Sequence, residues 1–207
     1  MIVLAFLIIL TILAFFADKF IRKHNVKIYI VATIISILAF ILQDKAFTTP
    51  IMQGFLGLSF FYIVMITGAI DKKYKIKAKF LGLRREYSII GFIVITPHAL
   101  KYTLQGLNGT IALEWFGIIS FVLMIPLFVT SFLKIRRKMK AKTWNSIQSA
   151  AYIIYILLFI HLILNYTLKI NLILYLVIFI FYFVMKMIYE IKKYDAKKKK
   201  KLASSAA

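Results

Sequence analysis

Residues 147–168 read IQSAAYIIYILLFIHLILNYTL and residues 170–189 read INLILYLVIFIFYFVMKMIY, with Lys169 alone between them. Each run is long enough to cross a bilayer, because about 20 mostly apolar residues in a helix span the hydrocarbon core. Neither run alternates polar and apolar residues as the strands of a membrane barrel do. Helices are the remaining way to satisfy the backbone in lipid. The two runs therefore predict an antiparallel pair of transmembrane helices joined by a tight turn.

Five further apolar runs precede this pair in the 207-residue chain. They cover residues 2–21, 28–43, 51–70, 87–105 and 114–133. The chain is 62% hydrophobic, whereas a soluble domain is about half apolar. We therefore predict an all-α, polytopic transmembrane bundle of about seven helices. The first run lacks a basic leader and a small-residue cleavage site, so we expect a retained helix and not a signal peptide.

Basic residues are gathered in alternate loops of the chain, which carries 28 Lys and Arg against 7 Asp and Glu. One set of loops, within residues 19–27, 72–85, 134–142 and 192–201, is strongly basic, and the opposite set holds only Lys45, Lys101 and Lys169. Because cytoplasmic loops are enriched in Lys and Arg, we predict a multi-pass protein of the cell membrane with the N-terminus outside and the C-terminus cytoplasmic. Short basic blocks between apolar runs indicate contact with anionic membrane lipids and not with nucleic acid.

Composition sets one segment of the chain apart, residues 192–207, which form a basic cytoplasmic tail. The tail is a lysine run followed by small residues. We expect it to be disordered, because it has little apolar surface to bury.

Two of the three histidines, His98 and His161, fall inside apolar runs, and His24 lies in a basic loop. Ionisable residues at membrane depth are costly and usually face the bundle interior with a partner. At 1.5 Å per residue, His98 lies about 20 Å from the cytoplasmic edge and His161 about 25 Å. The predicted topology makes their helices parallel, so both imidazoles reach a similar level in the outer half of the bilayer.

Matched depth on two helices favours a single haem with both imidazoles as axial ligands. The chain has no Cys, so a covalent c-type haem is excluded and the haem would be b-type. A zinc site would require three or four ligands, and no others lie at this level. The alternative is a pair of neutral histidines, each bonded to a carbonyl or a tyrosine. Near His98, Gly91 permits close approach and Tyr102 could donate to a haem propionate.

Residues 84–91, RREYSIIG, continuing through Thr96-Pro97-His98 to Tyr102, resemble the third helix of the ferric-reductase-like transmembrane family. Three more stretches resemble other helices of that family: residues 54–67, residues 117–131, and residues 144–166 with Trp144, His161 and Asn165-Tyr166. The resemblance covers roughly residues 50–190. Within the family it is nearest to the MsrQ/YedZ group, the haem-binding membrane subunits of bacterial methionine sulfoxide reductase systems.

This resemblance implies a six-helix-type, haem-binding core, preceded here by an extra N-terminal helix. It divides the chain into two N-terminal transmembrane helices over residues 1–49 and a ferric-reductase-like core over residues 50–191. It implies that His98 and His161 are the axial ligands of one haem b, and that Arg84 and Arg85 face a flavin or the haem propionates. The positive-inside rule alone would also explain the arginine pair. Where relatives carry a further histidine, this sequence has Gln148, a poor iron ligand, so a second haem is not expected.

By the same resemblance, the chain would be an electron-transfer subunit of an oxidoreductase. Its donor would be a membrane quinol, a flavin or a flavoprotein. Its extracytoplasmic acceptor would be a methionine sulfoxide reductase subunit, an FMN protein or ferric iron. The chain has no Gly-rich phosphate loop, so it cannot oxidise NAD(P)H alone. A gap of about 20 Å below the haem predicts a second carrier, FMN or a quinone, near Arg84, Arg85 and Gln148. The alternatives are a cofactor-free membrane transporter or scaffold, and a structural subunit of a larger redox complex.

Overall fold

The computed structural model describes residues 2–165 and 169–205, and in this part of the chain every regular element is a helix. The predicted all-α class is therefore confirmed. The helices are α1 (Ile2–Phe16), α2 (Asp18–Lys23), α3 (Asn25–Ile41), α4 (Thr49–Met52), α5 (Phe55–Ile66), α6 (Lys75–Leu107), α7 (Trp115–Ser131), α8 (Leu133–Arg136), α9 (Ala141–Ser149), α10 (Ala151–Asn165) and α11 (Lys169–Ser205), with a short 3-10 turn at Ala46–Thr48 before α4.

Three helical stretches are long and apolar enough to cross a membrane. They are Ala46–Ile66, Ala141–Asn165 and Leu172–Lys199, and shorter apolar helices cover Ile2–Phe16, Asn25–Ile41 and Trp115–Ser131. Large apolar side chains also point outward from α1, α3 and α11, as at Ile12, Ile37 and Phe181, each half exposed or more. Exposed apolar surface on this scale is unusual for a soluble monomer and suits contact with lipid.

Several boundaries differ from the predicted ones. The first apolar helix ends at Phe16, so Asp18 lies beyond it in α2. Helix α6 begins at Lys75, twelve residues before the predicted apolar run, because the basic segment ahead of that run is helical as well. The turn that we predict around Lys169 falls partly on residues 166–168, which lie outside the described residues.

The C-terminal tail is the clearest difference between expectation and structure. We expect residues 192–207 to be disordered, but α11 continues without a break to Ser205. Lys and Ala are both good helix formers. The apolar first half of α11 supplies a nucleus from which the helix propagates at little cost per residue.

Helix α6 is the central element, and it packs against α1, α3, α5 and α7. Two buried tyrosines tie neighbouring helices together through their hydroxyls. Tyr87 donates to the carbonyl oxygen of Leu10 at 2.7 Å, and Tyr62 donates to that of Ile178 at 2.9 Å. Each of these bonds satisfies a buried hydroxyl that would otherwise be costly in an apolar interior.

A break between α4 and α5 borders the candidate site. Gly54 has a φ of +74°, the left-handed region that glycine adopts at little cost. Helix α4 therefore ends at Met52, and α5 begins at Phe55. The last carbonyls of a helix lack partners within it, so the break leaves the Met52 carbonyl free to accept a bond from another element.

Candidate functional site

The structure brings His98 of α6 and His161 of α10 together. Their ring centroids lie 6.4 Å apart, and the ring planes are inclined at 73°. The two residues are separated by 63 positions along the chain, so this proximity results from the packing of α6, α7 and α10 around one another. The matched depth expected from the sequence is thus accompanied by direct juxtaposition of the rings.

One nitrogen of His98 is held by the helix break. Its Nδ1 lies 2.9 Å from the carbonyl oxygen of Met52. A carbonyl only accepts hydrogen bonds, so Nδ1 carries the hydrogen and donates it. In the neutral ring, Nε2 then keeps its lone pair, and no described residue donates to it. This is the arrangement usual for metal-binding histidines, which donate their second ring N–H to a carbonyl or a carboxylate.

His161 has a polar partner set at the outer end of α10. Its Nδ1 lies 3.7 Å from Oε2 of Glu114 and 3.2 Å from Nδ2 of Asn165. Asn165 Nδ2 donates to Glu114 Oε2 at 2.7 Å and to the His161 carbonyl at 2.9 Å. As with His98, the polar contacts are on Nδ1, which leaves Nε2 without a bonded partner among the described residues.

Two cavities meet at the histidine pair, which lines both of them. The larger has a volume of about 370 Å³ and is bounded by α5 and the α4–α5 break on one side and by α10 on the other. The smaller, of about 70 Å³, lies against α7. We call these two spaces together the histidine cavity. Most of its remaining lining is apolar, including Leu58, Ile95 and Leu158, as is usual where a protein holds an organic cofactor.

Glycines make room for both imidazoles. A Cβ on Gly117 of α7 would lie 3.0 Å from Cε1 of His161 and 3.2 Å from its Nδ1. A Cβ on Gly54 would lie 3.3 Å from Cδ2 of His98. Helix α7 and the α4–α5 break therefore approach the rings so closely that a larger side chain at either position would displace them.

The donor set fits an iron porphyrin better than a bare metal ion. Within residues 2–165 and 169–205, no three or more His, Cys, Asp or Glu side chains are grouped to hold a metal. Two imidazoles suffice where a porphyrin supplies the other four ligands. Metal–imidazole bonds are about 2.0–2.1 Å long, so two rings on opposite sides of one metal have centroids roughly 6–6.5 Å apart. The observed 6.4 Å lies in that range.

Tyr102 lies beside His98 at the outer rim of the histidine cavity. The two ring centroids are 4.9 Å apart. The Tyr102 hydroxyl donates to Oε1 of Gln53 at 3.1 Å. The hydroxyl is therefore within the cavity lining, as predicted from its place one turn above His98, but it is already engaged with the α4–α5 break.

Arg84, Arg85 and Gln148 lie together around a separate cavity of about 270 Å³, on the side of the bundle that carries the basic loops. We call this the arginine cavity. Its lining also includes Arg136, which stacks over the ring of Trp144 at 4.4 Å. Gln148 donates to Oγ1 of Thr130 at 3.0 Å. The three residues grouped by the sequence argument are thus neighbours in space.

The two arginines of the pair have different surroundings. Arg85 forms an ion pair with Glu86, whose side chain is buried. Arg84 makes no ion pair with any described residue, although it is only partly exposed. It also lines a narrow apolar space of about 50 Å³ that reaches Met124 and Leu158. Those two side chains also line the histidine cavity, so the two cavities share a wall.

Gly91 is not part of either cavity lining. A Cβ there would lie 3.0 Å from Cβ of Phe60 on α5. Its role in the structure is the close approach of α5 and α6, two turns below His98. Sequence reasoning missed Met52, Glu114 and Gly117 as neighbours of the histidines, and Gln53 as the partner of Tyr102. Only Glu114 gave a signal, as an acid at the start of an apolar run.

Comparison with known proteins gives little further information. No family model matches the chain, and no solved structure matches it. A protein of Treponema pallidum (strain Nichols), described only as an uncharacterized protein, is 31% identical over 123 residues, covering 54% of this chain and 34% of that protein. The chain therefore spans about a third of the length of this relative. The function has to be argued from the geometry of the site.

Proposed function

We propose that this chain is a b-type haem protein of the cell membrane that carries electrons from a quinol or flavin donor to an extracytoplasmic acceptor. The observation that carries the proposal is the histidine pair, with ring centroids 6.4 Å apart and both Nδ1 atoms turned to other partners. Membership of the ferric-reductase-like family, near the MsrQ/YedZ haem-binding subunits, is part of the same proposal.

The membrane arrangement that goes with this function has seven spans. Beside the three long apolar helices and the three shorter ones, the second half of α6 would form the remaining span. Basic residues cluster near the N-terminal end of α6, around α8 and at the end of α11. By the positive-inside rule these regions are cytoplasmic, which puts the N-terminus outside and the C-terminus inside.

In this proposal His98 and His161 bind the iron of one haem b through their Nε2 atoms. Bound in this way, a haem supplies a one-electron carrier with no open coordination position for a substrate. The Met52 carbonyl would hold His98, and the apolar part of the lining would contact the porphyrin. Glycines at the break and on α7 let the backbone pass close to both rings.

The arginine cavity would receive the electron donor or a second carrier. Its three guanidinium groups and the Gln148 amide suit a quinone carbonyl or the phosphate of FMN, both of which accept hydrogen bonds. A flavoprotein could also deliver electrons to this basic face. On the outer side, the acceptor would be a methionine sulfoxide reductase subunit, an FMN protein or ferric iron.

A cofactor-free transporter or scaffold is the alternative. It is favoured by one observation, the hydrogen bond from His98 to the Met52 carbonyl, which is also how a neutral buried histidine is commonly satisfied. It does not account for two histidines that line the same cavity with their ring centroids 6.4 Å apart.

Absorption spectra of the detergent-purified full chain, oxidised and reduced, separate these functions. The wild type is expected to give a low-spin b-type spectrum after haem supplementation. His98→Ala and His161→Ala should each lose it, while His24→Ala, in the basic loop, should retain it. A colourless wild-type preparation would rule out the haem function, and a spectrum that persists in both cavity variants would rule out His98 and His161 as the ligands.

A further inference from the structure

Glu114 lies directly before α7 and is the one acidic residue in the described lining of the histidine cavity. Among the described residues it forms no ion pair with a Lys or Arg, a property that it shares with Asp44 and Asp71. What distinguishes it is its neighbour, because its Oε2 lies 3.7 Å from Nδ1 of His161.

Asn165 determines which hydrogen bonds are possible around His161. Its amide nitrogen has two hydrogens, and two oxygen acceptors lie within reach of it, Glu114 Oε2 at 2.7 Å and the His161 carbonyl at 2.9 Å. The opposite amide orientation would place Oδ1 against those two oxygens, so the hydrogen-bond network fixes the assignment. No amide hydrogen is then left for Nδ1 of His161, although the two nitrogens are 3.2 Å apart.

These contacts favour one tautomer of the His161 ring. With no donor available, Nδ1 would be left unsatisfied as an acceptor. The Glu114 carboxylate lies 3.7 Å from Nδ1, beyond hydrogen-bond distance, and its negative charge favours a hydrogen on that nitrogen. The lone pair is then on Nε2. Gly117 of α7 keeps the ring in place from the other side, since its Cα has no side chain to displace it.

We propose that Glu114 and Asn165 are positioning residues that hold His161 as the Nδ1–H tautomer, with Nε2 available to the haem iron. This inference rests on the proposed haem function. It makes the two ligands unequal, because His98 donates to a neutral carbonyl and His161 faces a carboxylate. A carboxylate partner makes an imidazole the more basic ligand, and a more basic ligand favours ferric over ferrous iron.

A purely structural role makes a different prediction. Glu114 and Asn165 also connect α7 to α10, and that link needs only a hydrogen-bond acceptor at position 114. Gln can supply this acceptor through its Oε1. It removes the negative charge, however, and its NH₂ group can donate to Nδ1, which favours the tautomer that cannot bind iron through Nε2. Glu114→Gln therefore distinguishes a role in orienting the His161 ring from a role in linking α7 to α10.

The experiment uses the full chain in detergent, stripped of haem and titrated with haemin, followed by redox titration. Glu114→Gln should weaken ferric haem binding by about 10–100-fold, the usual effect of losing the outer partner of a metal-binding histidine. Its midpoint potential should become more positive. If only ferric affinity falls, each tenfold loss corresponds to about 59 mV for a one-electron couple. Glu114→Asp, which keeps the carboxylate, should recover most of both properties.

Asp44→Asn is the matched control, because it removes the same charge from an exposed position in the loop between α3 and α4. It should bind haem as the wild type does. Glu114→Gln with wild-type affinity and potential would overturn the positioning role and leave the haem function standing. Thermal unfolding of the haem-free proteins completes the test. If both Glu114 variants are unfolded at a temperature where the wild type is folded, the residue supports the helix packing, and the positioning role is overturned. A wild type that binds no haem would overturn the proposed function itself.

Discussion

The histidine cavity and the arginine cavity differ in how their polar groups are held. In the histidine cavity two of the polar side chains are hydrogen-bonded to the α4–α5 break, His98 to the Met52 carbonyl and Tyr102 to Gln53. In the arginine cavity, partly exposed guanidinium groups surround the space, and Arg84 is without an ion-pair partner among the described residues. The first arrangement suits a permanently bound group and the second a polar or anionic molecule that comes and goes.

The largest effect is expected where α7 touches His161. Gly117→Val would put side-chain atoms where the imidazole ring lies, because the Cβ alone would approach Cε1 to 3.0 Å. We expect haem content to fall to the level of His161→Ala. The measurement is the Soret absorbance per polypeptide after haem supplementation.

Gly82→Val is the control for that change. Gly82 is also in a helix, but the nearest atom to its Cβ is Nη1 of Arg22, at 3.9 Å. It should retain full haem content. Equal haem content in the two variants would mean that the histidine cavity does not hold the haem.

A second prediction separates the arginine cavity from the histidine cavity. Arg84→Gln should leave the haem spectrum unchanged and slow reduction of the haem by a soluble quinol. Bonds to a charged group contribute about 1.5–3 kcal/mol, so donor binding should weaken by about 10–100-fold. Stopped-flow reduction at varied quinol concentration gives the change in affinity.

Lys142→Gln, at an exposed position outside the arginine cavity lining, is the control for the loss of one positive charge. Its reduction kinetics should match the wild type. If Arg84→Gln also had wild-type kinetics, the electron donor would not bind in the arginine cavity. The proposed difference in function between the two cavities would then be wrong.

The α4–α5 break provides a smaller and more specific test. Gly54→Ala forces a side chain into the left-handed region, at about 1–2 kcal/mol, and crowds His98. Gly109→Ala imposes the same backbone strain at φ +71° but has no atom within 4 Å of its Cβ. Both variants should lose similar thermal stability, and Gly54→Ala alone should lose haem affinity. Equal haem affinities would show that the break does not support His98.

The smallest effect is expected outside both cavities, at Asp18. Its carboxylate pairs with Lys79 and Arg22, each at 3.1 Å, and the hydrogen bond from Lys79 is the main cause that lowers the pKa of Asp18. A carboxyl with a lowered folded pKa stabilises above its unfolded pKa of about 3.9 and loses that contribution as the pH falls through the folded value. Asp18→Asn should show a slightly lower Tm at pH 7 and a difference that closes below about pH 4, with no change in haem content. A Tm difference that persists at low pH would mean that the ion pairs are not its cause.

The periodicity and the charge pattern of the sequence sufficed to predict the helical class and the proximity of His98 and His161. Both predictions use features that can be read along the chain, namely the rise per residue of a helix and the alternation of basic loops with loops that carry few basic residues. The contacts of the histidines with Met52 and Glu114 could not be predicted from the sequence. They depend on how the α4–α5 break and the loop before α7 pack against the neighbouring helices. The helical end of α11 was not predicted for another reason. Composition shows that the tail has little apolar surface to bury, but it does not show that the preceding part of α11 lets the helix continue into the tail.

Electron paramagnetic resonance of the ferric full-length protein would report on both proposed ligands, His98 and His161, in a single spectrum. Two imidazoles with planes inclined near the observed 73° should give a strongly anisotropic low-spin signal, absent from both alanine variants. A high-spin signal, or a low-spin signal that survives either substitution, would mean that these two histidines do not bind one iron together.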